Sequence, residues 1–373
     1  MTSKERMITA MSGGKPDCVP VCPDISNMIP SRMTGKPFWD VYIFQNPSLW
    51  KAYADASKHF GFDAWSMGMP GFVFKRTPKF DFRPGEMSKE KIIGCYELET
   101  PRGVLNGEVT FMRSDPPTSS GKPIKNLEED LPKLRWLLDN ITGFTFDEYE
   151  RRRNEIGDRG IVGLDVAVPG LHVWSDWFRH QTAVYAVYDT PDLIEEFRLL
   201  THEFVVRLLD AIIAKRPDNI NIQSSGGITL QSPALFRKLS LPTLKEVTRR
   251  AKEAGIPTLM HCCGKARVLA GMAAEETDLS ALNPLEAPPM GDCDLAEVKQ
   301  AHGAKLALMG NLPTTTLMLN GAPDDVRRAA RAAIDAAGAG GGFILSTGDQ
   351  CGRDTPDENI FAMIEEARNY GAY

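Results

Sequence analysis

Apolar and polar positions change rhythm along this chain, and the change is clearest after about residue 160. Short apolar runs recur at Ile161–Val168, Asn219–Ile222, Thr258–His261, Ala281–Leu282, Ala304–Met309 and Phe343–Ser346. Between them lie stretches with helical spacing, roughly 191–214, 233–254, 265–276, 293–302 and 323–337. Short apolar strands alternating with helices mark parallel βαβ units. Two earlier runs, Cys18–Cys22 and Asp63–Met67, bring the strand count to eight. The pattern predicts an α/β fold: a single (β/α)8 TIM barrel spanning 1–373, in preference to an open doubly wound sheet. No Gly-x-Gly-x-x-Gly follows the first strand, which disfavours dinucleotide binding. The glycines of Gly338–Gly342 precede a strand and read as a tight turn.

The first 160 residues are less regular. Residues 2–12 predict an amphipathic helix capped by Thr2 or Ser3 with Glu5 in its first turn, within an N-terminal helical extension over 1–16. Residues 24–44 read as irregular and 47–60 as helical. Alternation over 92–113, broken at Pro101-Arg102-Gly103, predicts an inserted β-hairpin. The charged stretch 125–158 reads as a connection and a helix.

Composition narrows the function classes. The 373 residues are 42% hydrophobic and 25% charged, an ordinary globular balance. The formal charge of −6, with Lys and Arg dispersed, argues against nucleic acid as a partner. No apolar stretch approaches the roughly 18 residues of a membrane span. The N-terminus lacks the apolar core of a secretory leader. Seven cysteines, an odd number, do not suggest a disulfide framework. A cytoplasmic protein is expected, in which cysteines matter as metal ligands or nucleophiles.

In a (β/α)-barrel, functional residues gather where strands end. The run ending in His261-Cys262-Cys263-Gly264 puts a His and two Cys at such an end. His261 and Cys263, two apart, leave the same side of an extended segment, while Cys262 turns to the core. The following strand ends in Asn283-Pro284-Leu285-Glu286, and the last in Thr347-Gly348-Asp349-Gln350-Cys351. A barrel would bring His261, Cys263, Glu286 and Cys351 to one rim. Imidazole, thiolates and a carboxylate suit zinc, with one position left exchangeable for catalysis. Spacing alone leaves ordinary packing of the same residues equally open.

The chain resembles the uroporphyrinogen decarboxylase superfamily, and within it the corrinoid-dependent methyltransferases. The matching segments are Lys4-Glu-Arg6, Pro16-Asp17-Cys-Val-Pro20, Ser232-Pro233-Ala-Leu-Phe236 with Pro242, His261-Cys-Cys-Gly264, Asn283-Pro-Leu-Glu286, Gly310-Asn311 and Thr355-Pro-Asp-Glu-Asn-Ile360. The resemblance implies a barrel and zinc ligands His261, Cys263 and Cys351, with Glu286 as a carboxylate that substrate displaces. The decarboxylase branch fits poorly. It grips substrate carboxylates with an Arg-rich segment, yet Pro23–Met33 carries one Arg. It also places an Asp where this chain has Gln223-Ser-Ser-Gly-Gly227.

Two methyl transfers use such a centre. One moves a methyl group from a methylcobamide to a thiol such as coenzyme M. The other moves it from an O-methyl donor, an aryl methyl ether, to Co(I) of a corrinoid protein. The second is the expectation here. The segment holding Met28, Trp39 and Asp40 resembles that of family members in O-demethylase systems. With Trp65, Met67 and Trp177, these residues are candidates to bind a flat donor. The chain has no Asp-x-His-x-x-Gly, so the corrinoid is expected on a separate partner protein.

Overall fold

The computed structural model describes all residues, 1–373. At its centre is a seven-stranded parallel sheet whose spatial order follows chain order. The strands are β1 (Ala64–Gly68), β2 (Gly160–Ala167), β3 (Asn219–Gln223), β4 (Thr258–His261), β5 (Ala281–Asn283), β6 (Ala307–Leu312) and β7 (Phe343–Thr347). Helices cover the sheet between successive strands from β3 onward. Burial on both faces accounts for the nearly unbroken apolar runs, as in β2 and β7.

The expected eighth strand, Cys18–Cys22, takes a different form. Its residues make only isolated bridges, Val21 to Leu345 in parallel and Cys18 to Ala372. The Leu345 N–H donates to the Pro20 carbonyl, and the Cys22 N–H donates to the Leu345 carbonyl, both at 2.9 Å. The Asp63 N–H, at the foot of β1, donates to the Val21 carbonyl at 2.9 Å. Residues 20–22 therefore touch both edges of the sheet. Pro20 and Pro23 lack an N–H, so no ladder extends beyond this contact. The eight-stranded barrel of the sequence reading is thus seen as seven regular strands with a short connecting segment at the edges.

The N-terminal helix, Ser3–Met11, has the expected capping box. Thr2 Oγ1 accepts from the Glu5 N–H at 3.2 Å, and Glu5 Oε2 accepts from the Thr2 N–H at 2.8 Å. Met7, Ala10 and Met11 are buried beneath the sheet.

Four other expectations change. The hairpin is the middle of a larger four-stranded antiparallel sheet, Lys79–Met87, Lys91–Thr100, Gly103–Met112 and Thr118–Gly121. Pro84, Gly85 and the Ser/Thr-rich final strand hid its outer members. The stretch 24–44 contains two short helices, Met28–Met33 and Phe38–Tyr42. The stretch 233–254 is two helices, Pro233–Leu239 and Leu241–Glu253, because Pro242 cannot continue the first. The charged stretch 125–158 holds two helices, Leu127–Asp139 and Asp147–Ile156, around a strand at Ile141–Thr145. A second core lies beneath the first of them, where Trp174 packs on Phe197 with ring centroids 4.8 Å apart.

Candidate metal centre

His261 ends β4, opposite Gln223 of β3 and Asn283 of β5. The Asn283 Nδ2 donates to the Met309 carbonyl at 3.4 Å, which turns its Oδ1 toward His261. His261 Nδ1 lies 2.8 Å from that oxygen. An imidazole donating from Nδ1 to this oxygen presents Nε2 to the cluster, the orientation of a metal-ligating histidine.

Nε2 faces a cluster. Ligand atoms of His261, Cys263 and Asp349 all lie within 4.8 Å of one another. His261 Nε2 is 3.8 Å from Asp349 Oδ1. Burial pushes the imidazole pKa down, but the Cys263 thiol and the carboxylates of Asp349 and Asp24 outweigh it and hold it up at about 9. The site thus favours positive charge among soft and hard donors. Nitrogen, sulfur and oxygen at these separations fit a zinc ion.

Gly264 sets the turn after Cys263. It has φ 80°, and an added Cβ would lie 2.2 Å from Thr229 Oγ1, so only glycine fits. The Gly264 N–H donates to the Glu286 carboxylate. Glu286 is 5% exposed and holds this turn from outside the cluster. Burial raises its pKa, against the lowering effect of the Gly264 hydrogen bond. Cys351 is also outside the cluster. It lies two residues beyond Asp349 on the same loop and is fully buried. Burial pushes its thiol up to about 12. Cys262 points into the core, as expected.

The cluster opens on a cavity of about 420 Å³, which His261 and Asp349 help to line. Trp65 and Met67 line it, as anticipated. The Trp65 indole N–H donates to Asn221 Oδ1 at 2.7 Å, and Asn221 Nδ2 donates to Asp165 Oδ1 at 2.8 Å. Gln223 Nε2 reaches the Met67 sulfur at 3.3 Å. Met28, Trp39, Asp40 and Trp177 are not among the lining residues. Met28 and Trp39 sit on the two short helices, and Trp177 packs against the second core.

Sequence reasoning passed over several contributors. Asp349 lies two residues before Cys351, and its place in the cluster depends on a left-handed backbone turn that spacing does not show. Trp50 belongs to an amphipathic helix, and Arg152 to a charged one; neither spacing pointed to a site. Arg152 is fixed by Glu148 and by the Met67 carbonyl, and lines the cavity with Gln223.

The family model for uroporphyrinogen decarboxylase matches residues 178–370, more than half of the chain. The chain belongs to this family. Relatives that align end to end are methyltransferases. The methylcobamide:CoM methyltransferase MtbA of Methanosarcina mazei is 24% identical over 99% of this chain and 98% of its own length. The corresponding protein of Methanosarcina acetivorans is 23% identical over the same shares. A uroporphyrinogen decarboxylase from Azoarcus sp. is 26% identical but aligns over 72% of this chain and 73% of its own length. A solved methyltransferase from Methanosarcina mazei superposes with a TM-score of 0.69 at 20% identity, covering 99% of both chains. That likeness concerns the fold. Within the family, the extent of alignment places the chain on the corrinoid-methyltransferase branch.

Proposed function

We propose that this chain is a zinc-dependent methyltransferase that passes a methyl group from a methylated corrinoid, carried by a separate protein, to a small thiol. The observation carrying this reading is the His261–Cys263 pair, oriented by Asn283 at the mouth of a cavity, in a chain that aligns end to end with methylcobamide:CoM methyltransferases. His261 and Cys263 would hold the metal; Cys351, outside their cluster here, would serve as third ligand once the 347–351 loop turns its thiol toward them. Zinc bound there supplies the Lewis acidity that makes a thiol a nucleophile at neutral pH. The chain itself supplies placement. Asn283 fixes the imidazole, Gly264 and Glu286 fix the turn carrying Cys263, and the Asp165–Asn221 pair holds the Trp65 ring against the cavity.

The reading includes a closed barrel, with residues 20–22 as its reduced eighth strand, and a corrinoid protein docking over the cavity. It also includes a cytoplasmic setting, which suits seven unpaired thiols. A second reading, demethylation of an aryl methyl ether with Co(I) as acceptor, draws on Trp50, Trp65 and Met67 in the cavity. It is weaker than the sequence implied, since four of the six residues chosen to grip the ring lie elsewhere.

Methylcobalamin mixed with the enzyme and 2-mercaptoethanesulfonate or 2-mercaptoethanol separates the two. Loss of the methyl-Co(III) spectrum, with the thioether as product, is expected. Silence there, with methyl-Co(III) forming from Co(I) corrinoid protein and methoxyarenes, would replace the first reading by the second.

A further inference from the structure

The carboxylate that meets His261 and Cys263 is Asp349, and its backbone makes the choice of aspartate informative. Asp349 has φ 98°, a region that glycine enters freely and side-chain-bearing residues rarely do. Backbone and threonine contacts hold the turn without help from its carboxylate. Thr347 Oγ1 donates to the Asp349 carbonyl at 2.8 Å and accepts from the Asp24 N–H at 2.9 Å, while the Gly348 N–H donates to the Leu312 carbonyl at 2.7 Å. Glycine would therefore serve the turn better. What aspartate adds is an oxygen within 4.8 Å of His261 and Cys263 ligand atoms. Its side chain is 37% exposed and lines the cavity, whereas Glu286 is buried and engaged by the Gly264 N–H.

We propose that Asp349, not Glu286, is the carboxylate ligand of the metal in this chain, and that it is the ligand an incoming thiol displaces. The inference rests on the zinc reading above and deepens it. Zinc accepts a carboxylate oxygen beside nitrogen and sulfur. A cavity-facing ligand on a loop can leave without breaking the His261–Asn283 or Glu286–Gly264 supports.

Zinc affinity, measured by competition with a chromophoric chelator, tests the ligand. Asp349→Asn and Asp349→Gly are expected to bind zinc at least about tenfold more weakly than the native chain, and Glu286→Gln within about threefold of it. Asp349→Gly guards against misfolding, because its backbone suits this φ. Glu286→Gln keeps an oxygen for the Gly264 N–H. Equal losses in both positions, or a larger loss at Glu286, would overturn the assignment. Cobalt(II)-loaded protein tests displacement through its sulfur-to-cobalt absorption. The Asp349→Gly centre should bind 2-mercaptoethanol several-fold more tightly than the native one; unchanged or weaker binding would overturn the exchangeable role. A native chain that takes up no zinc contradicts the proposed function itself, whereas zinc uptake insensitive to Asp349 contradicts this inference alone.

Discussion

Asn283 does for His261 what neither residue's spacing announces. The sequence placed Asn283 in a recognisable Asn-Pro-Leu-Glu segment and gave the metal role to Glu286. The structure gives Asn283 the support of the imidazole and Glu286 the support of the turn. Partners behind a metal ligand typically govern affinity by 10–100-fold. Asn283→Leu should therefore weaken zinc binding by roughly that factor while Cys263 stays in place. An unchanged affinity in the chelator competition would show that the hydrogen bond plays no part. Asp165 offers a pH signature away from the metal ligands. Burial, partly offset by hydrogen bonds from Asn221 and Gln223, raises its pKa from 3.8 to about 6. The folded protein thus favours the neutral acid. That contribution to stability is complete below pH 3.8 and is lost as pH rises through about 6. The shift corresponds to roughly 3 kcal/mol. Asp165→Asn, which keeps an oxygen for Asn221, should gain stability relative to the native chain as pH rises from about 4 to 7. A Tm difference that stays flat over this range would contradict it.

At the scale of elements, what was legible followed from periodicity. The helix at 191–215, the helix at 323–337 and strands β2 to β7 fell where the apolar rhythm put them, because burial on two faces leaves a strong pattern. Elements whose form depends on proline or on short polar strands did not. The 18–22 segment looked like a strand by composition, yet Pro20 and Pro23 limit it to a bridge. The outer strands of the inserted sheet lack clean alternation. Of the site, the strand-end pair His261 and Cys263 was readable, whereas Asp349 and Arg152 depend on loop geometry and on a helix packing over the cavity. The N-terminal helix was readable through its cap, which the structure assigns to Thr2 of the two candidates Thr2 and Ser3. Loss of that cap in Thr2→Ala should cost about 1 kcal/mol. Urea unfolding would check it, and a change below a few tenths of a kcal/mol would mean the helix end is held by other contacts, such as Arg6 with Asp17 and Asp63.

For the whole molecule, the parallel sheet explains why distant segments meet. Residues at 24, 261–264, 283–286 and 347–351 all lie at or just beyond the carboxyl ends of strands, except Asp24, which follows the connecting segment between the sheet edges. The fold fixes that neighbourhood; the chemistry depends on which donors stand there. The helices over 28–42 do not supply the aromatic pocket expected of that segment. Polar groups such as Asn27, Arg152, Gln223 and Gln350 share the cavity with Trp50 and Trp65, which suits a small polar acceptor better than a flat ring. The most direct test of the account is methyl transfer from methylcobalamin to 2-mercaptoethanol, followed by loss of the methyl-Co(III) absorbance as zinc is removed by chelation and then restored. The account predicts activity proportional to bound zinc, reaching a plateau near one ion per chain and absent in Cys263→Ala. Full activity in metal-free protein would contradict it.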